Sequence, residues 1–248
     1  MTARGAAVAL LAVGLGTAAC AALGVGDTRA DVVRRLLQSM VQIRTEREGG
    51  GRRAASGIVL ASTEKPARSW ILTARHVLDP PTGQQILVSV PRRKETFPAT
   101  LVAASSDVDA AVLEVSGVSL PGVRLKEAVQ LGDEVWVVAF PWGRRLTLVS
   151  GVVSQIAAEE GEVAIVGSPR MVDASVSYGS SGGGVFDLGS GALVGIVEGY
   201  RTARLTLPES HGQSLDLPVA GETTVISAQS VVRFLTTSGL GHLVSGHR

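Results

Sequence analysis

The sequence predicts an all-β fold, a closed barrel or a sandwich, and three observations carry that prediction. From Val41 onward about a dozen short runs rich in Val, Ile, Leu and Thr are separated by Gly, Pro, Asp and Ser, the spacing of antiparallel strands joined by tight turns. Between these runs the helical patterns that βαβ units require are missing. The chain has 248 residues, 45% of them hydrophobic and 18% charged, which is enough apolar material for one large core or two small ones.

Taken in order, the chain opens with "MTARGAAVALLAVGLGTAAC", one charged turn followed by a run, residues 5–26, without a charged side chain. That is the form of an export signal, and residues 1–19 are set aside from the fold as a signal peptide. Cys20 is the only cysteine, and it comes directly after Thr17-Ala18-Ala19. Small residues before a cysteine resemble a bacterial lipoprotein cleavage box, in which that cysteine is lipidated; Leu is usual in the box where Thr17 stands. Three fates fit: a lipid anchor on Cys20, cleavage and release to the periplasm or medium, or an uncleaved helical anchor, since the run is just long enough to span hydrocarbon. All three place the body outside the cytoplasm, in the cell envelope. Without Cys20 no internal disulfide can form, so stability must come from packing.

Residues 20–40 read as a linker and a short helix. Val32, Val33, Leu36 and Leu37 recur at helical spacing behind a cap at Asp27 or Thr28. The strand runs come next: "MVQIRT", "SGIVLAS", "SWILTA", "QILVSV", "ATLVAAS", "AAVLEV", "EVWVVAF", "LTLVSGVVSQI", "GEVAIVG", "GGVFDL", "ALVGIVEGY" and "TTVISA". The basic run Pro91-Arg92-Arg93-Lys94 reads as a solvated hairpin tip. A second helix closes the pattern in "SAQSVVRFLTTSGL", with Val231, Val232, Phe234 and Leu235 behind a serine cap and Gly239 as the stop. Residues 240–248 are expected to be a flexible tail. His242 and His247 lie there without neighbouring ligands, so no metal site and no cofactor are expected. A net charge of +1 excludes a general nucleic-acid surface.

The chemistry concentrates in "DASVSYGSSGGGVFD", residues 173–187. Gly179-Ser180-Ser181-Gly182-Gly183 fits the nucleophile elbow of α/β-hydrolases, but that motif needs a helix after the serine. Ser181 is instead succeeded by three glycines and then two apolar runs joined by Gly189-Ser190-Gly191, a hairpin signal. A phosphate cradle would need a lysine and a helix N-terminus. A flexible linker does not run straight into a buried hairpin. A turn presenting a nucleophilic serine remains, and such a serine needs a base that is itself oriented by a carboxylate. His76 ends an apolar run in "WILTARHVL", and Asp109 heads another in "SSDVDAAVLEV". Taken singly, each has a plain reading, a core histidine and a turn aspartate.

The order His76, Asp109, Ser181 is that of the chymotrypsin-like double barrel. The chain resembles the trypsin-like serine proteases, in particular the bacterial HtrA/Deg protease domain. "SGIVLAS…WILTARHVL" is similar to the family's histidine motif, "VDAAVLEV" to its aspartate motif, and "LGDEVWVVAFPWGRRLTLVSGVVS" to the start of its second barrel. "DASVSYGSSGGGVFDLGSGALVGIV" resembles the serine motif, and "TTVISAQSVVRFL" the closing strand and helix. The resemblance covers about residues 41–235. It implies two six-stranded antiparallel barrels, at about residues 41–125 and 126–239, with a short N-terminal and a C-terminal helix. It also implies a serine endopeptidase of the envelope that acts on unfolded or partner polypeptides. Ser181 would be the nucleophile, His76 the general base and Asp109 its orienting carboxylate, with Asp107 as rival. The N–H groups of Gly179 and Ser181 would form the oxyanion hole.

Departures from the family pattern set further expectations. Ser180 stands where Asn or Asp is common and cannot form the buried ion pair that activates digestive zymogens. Gly184 stands where proline is frequent and is expected to loosen the serine loop. Tyr178 replaces a small residue beside the hole, where it would shield or block it. Ser175 is expected at the base of the primary pocket, favouring small or medium aliphatic groups, with Glu198 and Tyr200 flanking it; these two would admit a cationic group unless, as the plainer reading has it, Glu198 points to solvent. No PDZ domain comes after the closing helix, and no aromatic residue lies between Cys20 and Ser69 to support the family's trimer contact. The rival function is a catalytically silent protease-fold module that holds peptides or a partner. A protease with one dedicated substrate, encoded in residues 201–221, is a third.

Overall fold

The computed structural model describes residues 28–245 except 48, 81–82, 160–161, 163 and 207–213. The export signal and Cys20 therefore lie outside the described residues, as does His247. The chain starts with α1 (Arg29–Gln38), capped by Thr28, whose side chain accepts from the Asp31 N–H while Asp31 reaches back to the Thr28 N–H. Val32 and Leu36 bury the inner face of this helix.

The first barrel comprises β1 (Met40–Arg47), β2 (Arg52–Glu64), β3 (Ala67–Ala74), β4 (Gln84–Ser89), β5 (Thr96–Ser105) and β6 (Ala110–Ser116), closed in the order β1-β2-β3-β6-β5-β4. Next come β7 (Val129–Gln130), β8 (Glu134–Ala139), β9 (Thr147–Ile156), β10 (Val166–Gly167), β11 (Pro169–Asp173), β12 (Gly184–Asp187), β13 (Leu193–Thr206) and β14 (Ser214–Ser227). Six of these close the second barrel in the order β11-β14-β13-β12-β8-β9, and β7 pairs with β10 in a small separate sheet. All strand pairings are antiparallel. This is the chymotrypsin-like double barrel.

The runs of β2, β3, β6, β8 and β12 read as almost continuously apolar because both of their faces are buried, whereas β5 alternates between exposed and half-buried positions. Side chains alternate across a strand, so Val59, Ile71 and Leu113 fill the first barrel while their neighbours Leu60, Leu72 and Val112 point outward into a second cluster. In the other barrel Val137, Val185 and Val197 point inward, and Val138, Phe186 and Ile196 join that same cluster. The two barrels thus share a core, sealed by α1 and by α2 (Ala228–Thr237), which contributes Val231, Phe234 and Leu235. Ser227 caps α2, and Gly239 lies just beyond it with φ +73°.

Three expectations need correction. The segment read as a tail includes α3 (His242–Ser245), whose Leu243 is buried against the shared core, so this part is packed. "GEVAIVG" yields only the two residues of β10. The region 201–221, read as a surface loop, is mostly a β-ribbon continuing β13 and β14, each 14 residues long. Leu205 pairs with Leu215 and Ala203 with Leu217. The ribbon satisfies its own backbone hydrogen bonds, so it forms without a core beneath it, and polar alternation with Pro218 hid it from the sequence reading.

Candidate active site

The site lies where the two barrels meet. His76 sits in a 3₁₀ turn, Arg75–Leu78, at the end of β3. Asp109 stands just before β6 in a left-handed conformation, φ +53°, which aspartate tolerates better than most residues. β3 and β6 are paired in register down to Ala74 opposite Ala110, which brings the two ends together. Asp109 then holds this turn through three bonds, two of them to His76. Its Oδ1 accepts from the His76 backbone N–H at 2.8 Å, its Oδ2 meets Nδ1 at 2.7 Å, and its carbonyl accepts from the Arg75 N–H at 2.8 Å. A carboxylate can only accept, so Nδ1 carries the proton and the lone pair is left on Nε2. The hydrogen bond to Asp109 raises the imidazole pKa above its ordinary 6.5; partial burial opposes this, and the charges of Asp109, Glu198 and Asp79 add to it. Asp107 is exposed, and its carboxylate meets the neighbouring Ser106 hydroxyl.

Ser181 is presented by a turn tied to both barrels. From the first barrel, Ser56 in β2 acts as the staple. Its hydroxyl donates to the Gly179 carbonyl at 2.9 Å and accepts from the Phe140 N–H at 2.8 Å, while its N–H donates to the Ser181 carbonyl at 2.9 Å. Thr73 Oγ1 in turn donates to the Ser56 carbonyl at 2.8 Å. From the second barrel, the Gly182 N–H donates to Val197 and the Val197 N–H to Gly183, both at 2.8 Å. Gly182 has φ +79°, and a Cβ there would lie 2.2 Å from the Ser56 carbonyl oxygen and 3.0 Å from the Ala74 N, so the loop packs directly against the strand end that carries His76. Among the described residues no hydrogen bond joins Ser181 Oγ to the imidazole; such bonds commonly tighten only when substrate is bound.

The Gly179 and Ser181 N–H groups have no acceptor among the described residues, whereas the Ser180 N–H between them closes a turn onto the Ser177 carbonyl at 3.0 Å. One contact fixes this orientation. The Trp142 N–H donates to the Tyr178 carbonyl at 2.6 Å. In a trans peptide the C=O and N–H point in opposite directions, so the Gly179 N–H is turned away from the Trp142 loop. Gly179 has φ +88°, and a Cβ there would lie 2.8 Å from the Trp142 N. Ser180 is buried, and its hydroxyl accepts from the Ser177 N–H at 3.4 Å. The Tyr178 ring packs against Trp142.

Gly184 does not loosen the loop. It is buried at the start of β12, paired to both Val138 and Ile196, and a Cβ there would run into the Phe186 ring, whose room it provides. Ser175 is exposed just beyond β11, next to Ala174, whose carbonyl accepts from Thr223 Oγ1; Thr223 also pairs with Tyr200 across β13 and β14, so Ser175 and Tyr200 flank one strand. Glu198 is exposed on β13 directly after Val197. It also lines a groove of about 750 Å³ with Asp107, Val108 and Arg233, which does not include Ser181. The sequence reading missed Ser56, Thr73 and Trp142. A serine and a threonine inside the fully buried, otherwise apolar stretches 55–60 of β2 and 71–74 of β3 were the available signal for the first two. Among the described residues no group of three His, Cys, Asp or Glu side chains is placed to hold a metal ion.

The chain is 31% identical over 158 residues to a probable periplasmic serine endoprotease, DegP-like, of Pseudomonas fluorescens, covering 62% of this chain and 30% of that protein. It is 26% identical over 144 residues to the periplasmic serine endoprotease DegP of Salmonella typhimurium, covering 57% and 29%. The chain thus spans about 30% of the length of the curated relatives it matches. Among solved structures, the active form of the Rv3671c protease from M. tuberculosis superposes with a TM-score of 0.62 at 22% identity, covering 84% of each chain. An HtrA-type protease, AlgW, with a tripeptide gives 0.63 at 22% identity, covering 87% of this chain and 64% of that one. The trypsin-like peptidase domain model matches residues 55–196, a span that holds His76, Asp109 and Ser181 together with the four glycines of the turn, and the chain belongs to that family.

Proposed function

We propose that the protein is a serine endopeptidase of the cell envelope, acting on polypeptides through Ser181, His76 and Asp109. The observation that carries this reading is a pair of N–H groups, Gly179 and Ser181, without an acceptor among the described residues, in a turn packed against the strand end that carries His76, whose Nδ1 is held by Asp109. A substrate strand pairs along the edge of β13 beyond Ile196, where β12 no longer covers it. Ser181 Oγ attacks the scissile carbonyl carbon as Nε2 of His76 takes its proton, and Asp109 stabilises the imidazolium that results. The carbonyl oxygen, now negative, lies between the two N–H donors; losing one such donor typically costs about 3–4 kcal/mol in the barrier. His76 then protonates the leaving amine, and water releases the acyl group from Ser181 by the same steps.

The extracytoplasmic location rests on the charge-free N-terminal run and on the word periplasmic in the relatives' names. A signal peptide over residues 1–19 and lipidation of Cys20 belong to the same proposal. Among the described residues no helix is long and apolar enough to cross a membrane. Treating the full-length chain with a fluorophosphonate probe, and locating the adduct by mass spectrometry, tests the catalytic reading. Labelling at Ser181 that is absent in Ser181→Ala and lost in His76→Ala is the expected result. Silence at neutral pH, with and without unfolded protein, would favour a module that only binds peptides.

A further inference from the structure

Two large aromatic side chains lie exposed beside the oxyanion turn, and the fold does not use them for its core. Trp142 is 63% exposed and Tyr178 is 47% exposed, against a shared core in which most large apolar side chains are nearly inaccessible. Their ring centroids are 5.5 Å apart at 38°, a tilted aromatic pair. Neither the indole N–H nor the phenol O–H has a partner among the described residues. Trp142 adopts φ +57°, a left-handed conformation that bulky residues resist, in the short turn Pro141–Gly143. The turn is held there from three sides: Gln42 of β1 donates to the Gly143 carbonyl, the Gly143 N–H to Phe140, and the Trp142 N–H to Tyr178.

The placement of the pair gives it a direction. On the C-terminal side of Ser181 the loop is tied to β13 through Gly182 and Val197; on the N-terminal side it is tied to the aromatic turn through Tyr178 and Trp142. The β13 edge and the aromatic pair therefore meet the serine loop at its two ends, one after Ser181 and the other before it. A peptide lying along β13 up to its scissile bond must continue past Tyr178 and Trp142. We infer that these two rings form a subsite for an aromatic or large aliphatic side chain on the leaving fragment, at one of the two residues just after the scissile bond. This rests on the proteolytic reading above. Burying a ring against the pair gains both apolar area and edge-to-face contact.

The test begins with a peptide library digested by the full-length chain, with cleavage sites located by mass spectrometry. Peptide pairs are then built on the best-cleaved sequence, identical except for Phe or Gly at each of the two positions after the scissile bond. The readout is the ratio of kcat/KM within each pair. Damage to the oxyanion turn lowers both members equally and cancels, whereas loss of the subsite moves the ratio. Expected is a preference for Phe of about tenfold at one position, carried mainly by KM, falling to about twofold or less in Trp142→Ala and Tyr178→Ala and recovering in Trp142→Phe. A ratio near one in the wild-type chain, or an unchanged ratio in both alanine variants, overturns the subsite while leaving the protease reading intact. No cleavage of any peptide together with no labelling of Ser181 refutes the protease reading and the subsite with it.

Discussion

Ser56→Ala removes one hydroxyl and leaves two buried groups without partners, the Gly179 carbonyl and the Phe140 N–H. Ser56 is fully buried and Phe140 and Gly179 are buried beside it, so water cannot replace the lost bonds without opening the barrel junction. An unsatisfied buried polar group costs about 1–3 kcal/mol, which puts the variant roughly 2–5 kcal/mol below the wild type. For a body of this size each kcal/mol lowers Tm by about 2–4 °C, so a fall of roughly 5–15 °C is expected. The same change frees the peptide between Gly179 and Ser180, which lies inside the oxyanion turn. Turnover should therefore drop by about ten- to a hundredfold at a temperature where the variant is still folded, less than the loss of an oxyanion donor outright. Thermal unfolding followed by circular dichroism, paired with steady-state kinetics, measures both. Thr63→Ala removes an exposed hydroxyl bonded to Pro66 and serves as the control, with a change of a degree or two. A Tm for Ser56→Ala within that same margin, with unchanged kcat/KM, would refute the staple argument.

Further predictions concern charge and backbone. His76 must be neutral to act as base, and its pKa is raised above 6.5, so kcat/KM should climb as pH rises through a value above 6.5 and be lost below it. Glu198→Gln removes one of the charges that raise this pKa, so the acid limb of the pH profile should move to lower pH; an unmoved limb would place Glu198 outside the electrostatics of the site. Asp109→Asn abolishes the acceptor that fixes the imidazole tautomer and should lower kcat by about 10⁴ while leaving the adjacent barrel folded, as judged by near-ultraviolet circular dichroism. Lys126→Met removes the partner of the largely buried Asp187, 2.8 Å away. The Asp187 pKa lies below its ordinary 3.8; burial pushes it up, but bonds from Lys126 and Ser190 outweigh that. Its stabilisation is therefore present above that value and lost as pH falls through the folded pKa, so the variant's lower Tm, by roughly 2–6 °C at pH 7, should converge on wild type in strong acid.

The strands were legible because their signal is local. "SGIVLAS" and "EVWVVAF" are apolar on both faces, and that pattern marks strands buried twice over, inside a barrel and against a neighbouring one. The helix starts were legible for the same reason, since capping involves residues three apart, although the sequence left Asp27 and Thr28 both open as the first cap. His76, Asp109 and Ser181 could be singled out only as a set of residue types in order; the meeting of His76 with Asp109 is set by the register of β3 with β6. Gly184 shows the opposite case. Locally it reads as added freedom, but the Phe186 ring fills the space where a side chain would stand.

Sequence alone therefore determined what depends on near neighbours: the all-β class, the helices α1 and α2, the glycine-rich turn around Ser181, and the serine, histidine and aspartate from which the proposed site is drawn. Tertiary structure decided what depends on atoms distant in the chain. Barrel closure sets Ser56 beneath Gly179, 123 residues away, and brings Trp142 against Tyr178, so that the Trp142 N–H bond to the Tyr178 carbonyl turns the Gly179 N–H away from the Trp142 loop. A hydrogen bond of that kind has no periodicity and no composition to betray it. It exists only once two separately closed barrels have packed their outward faces together.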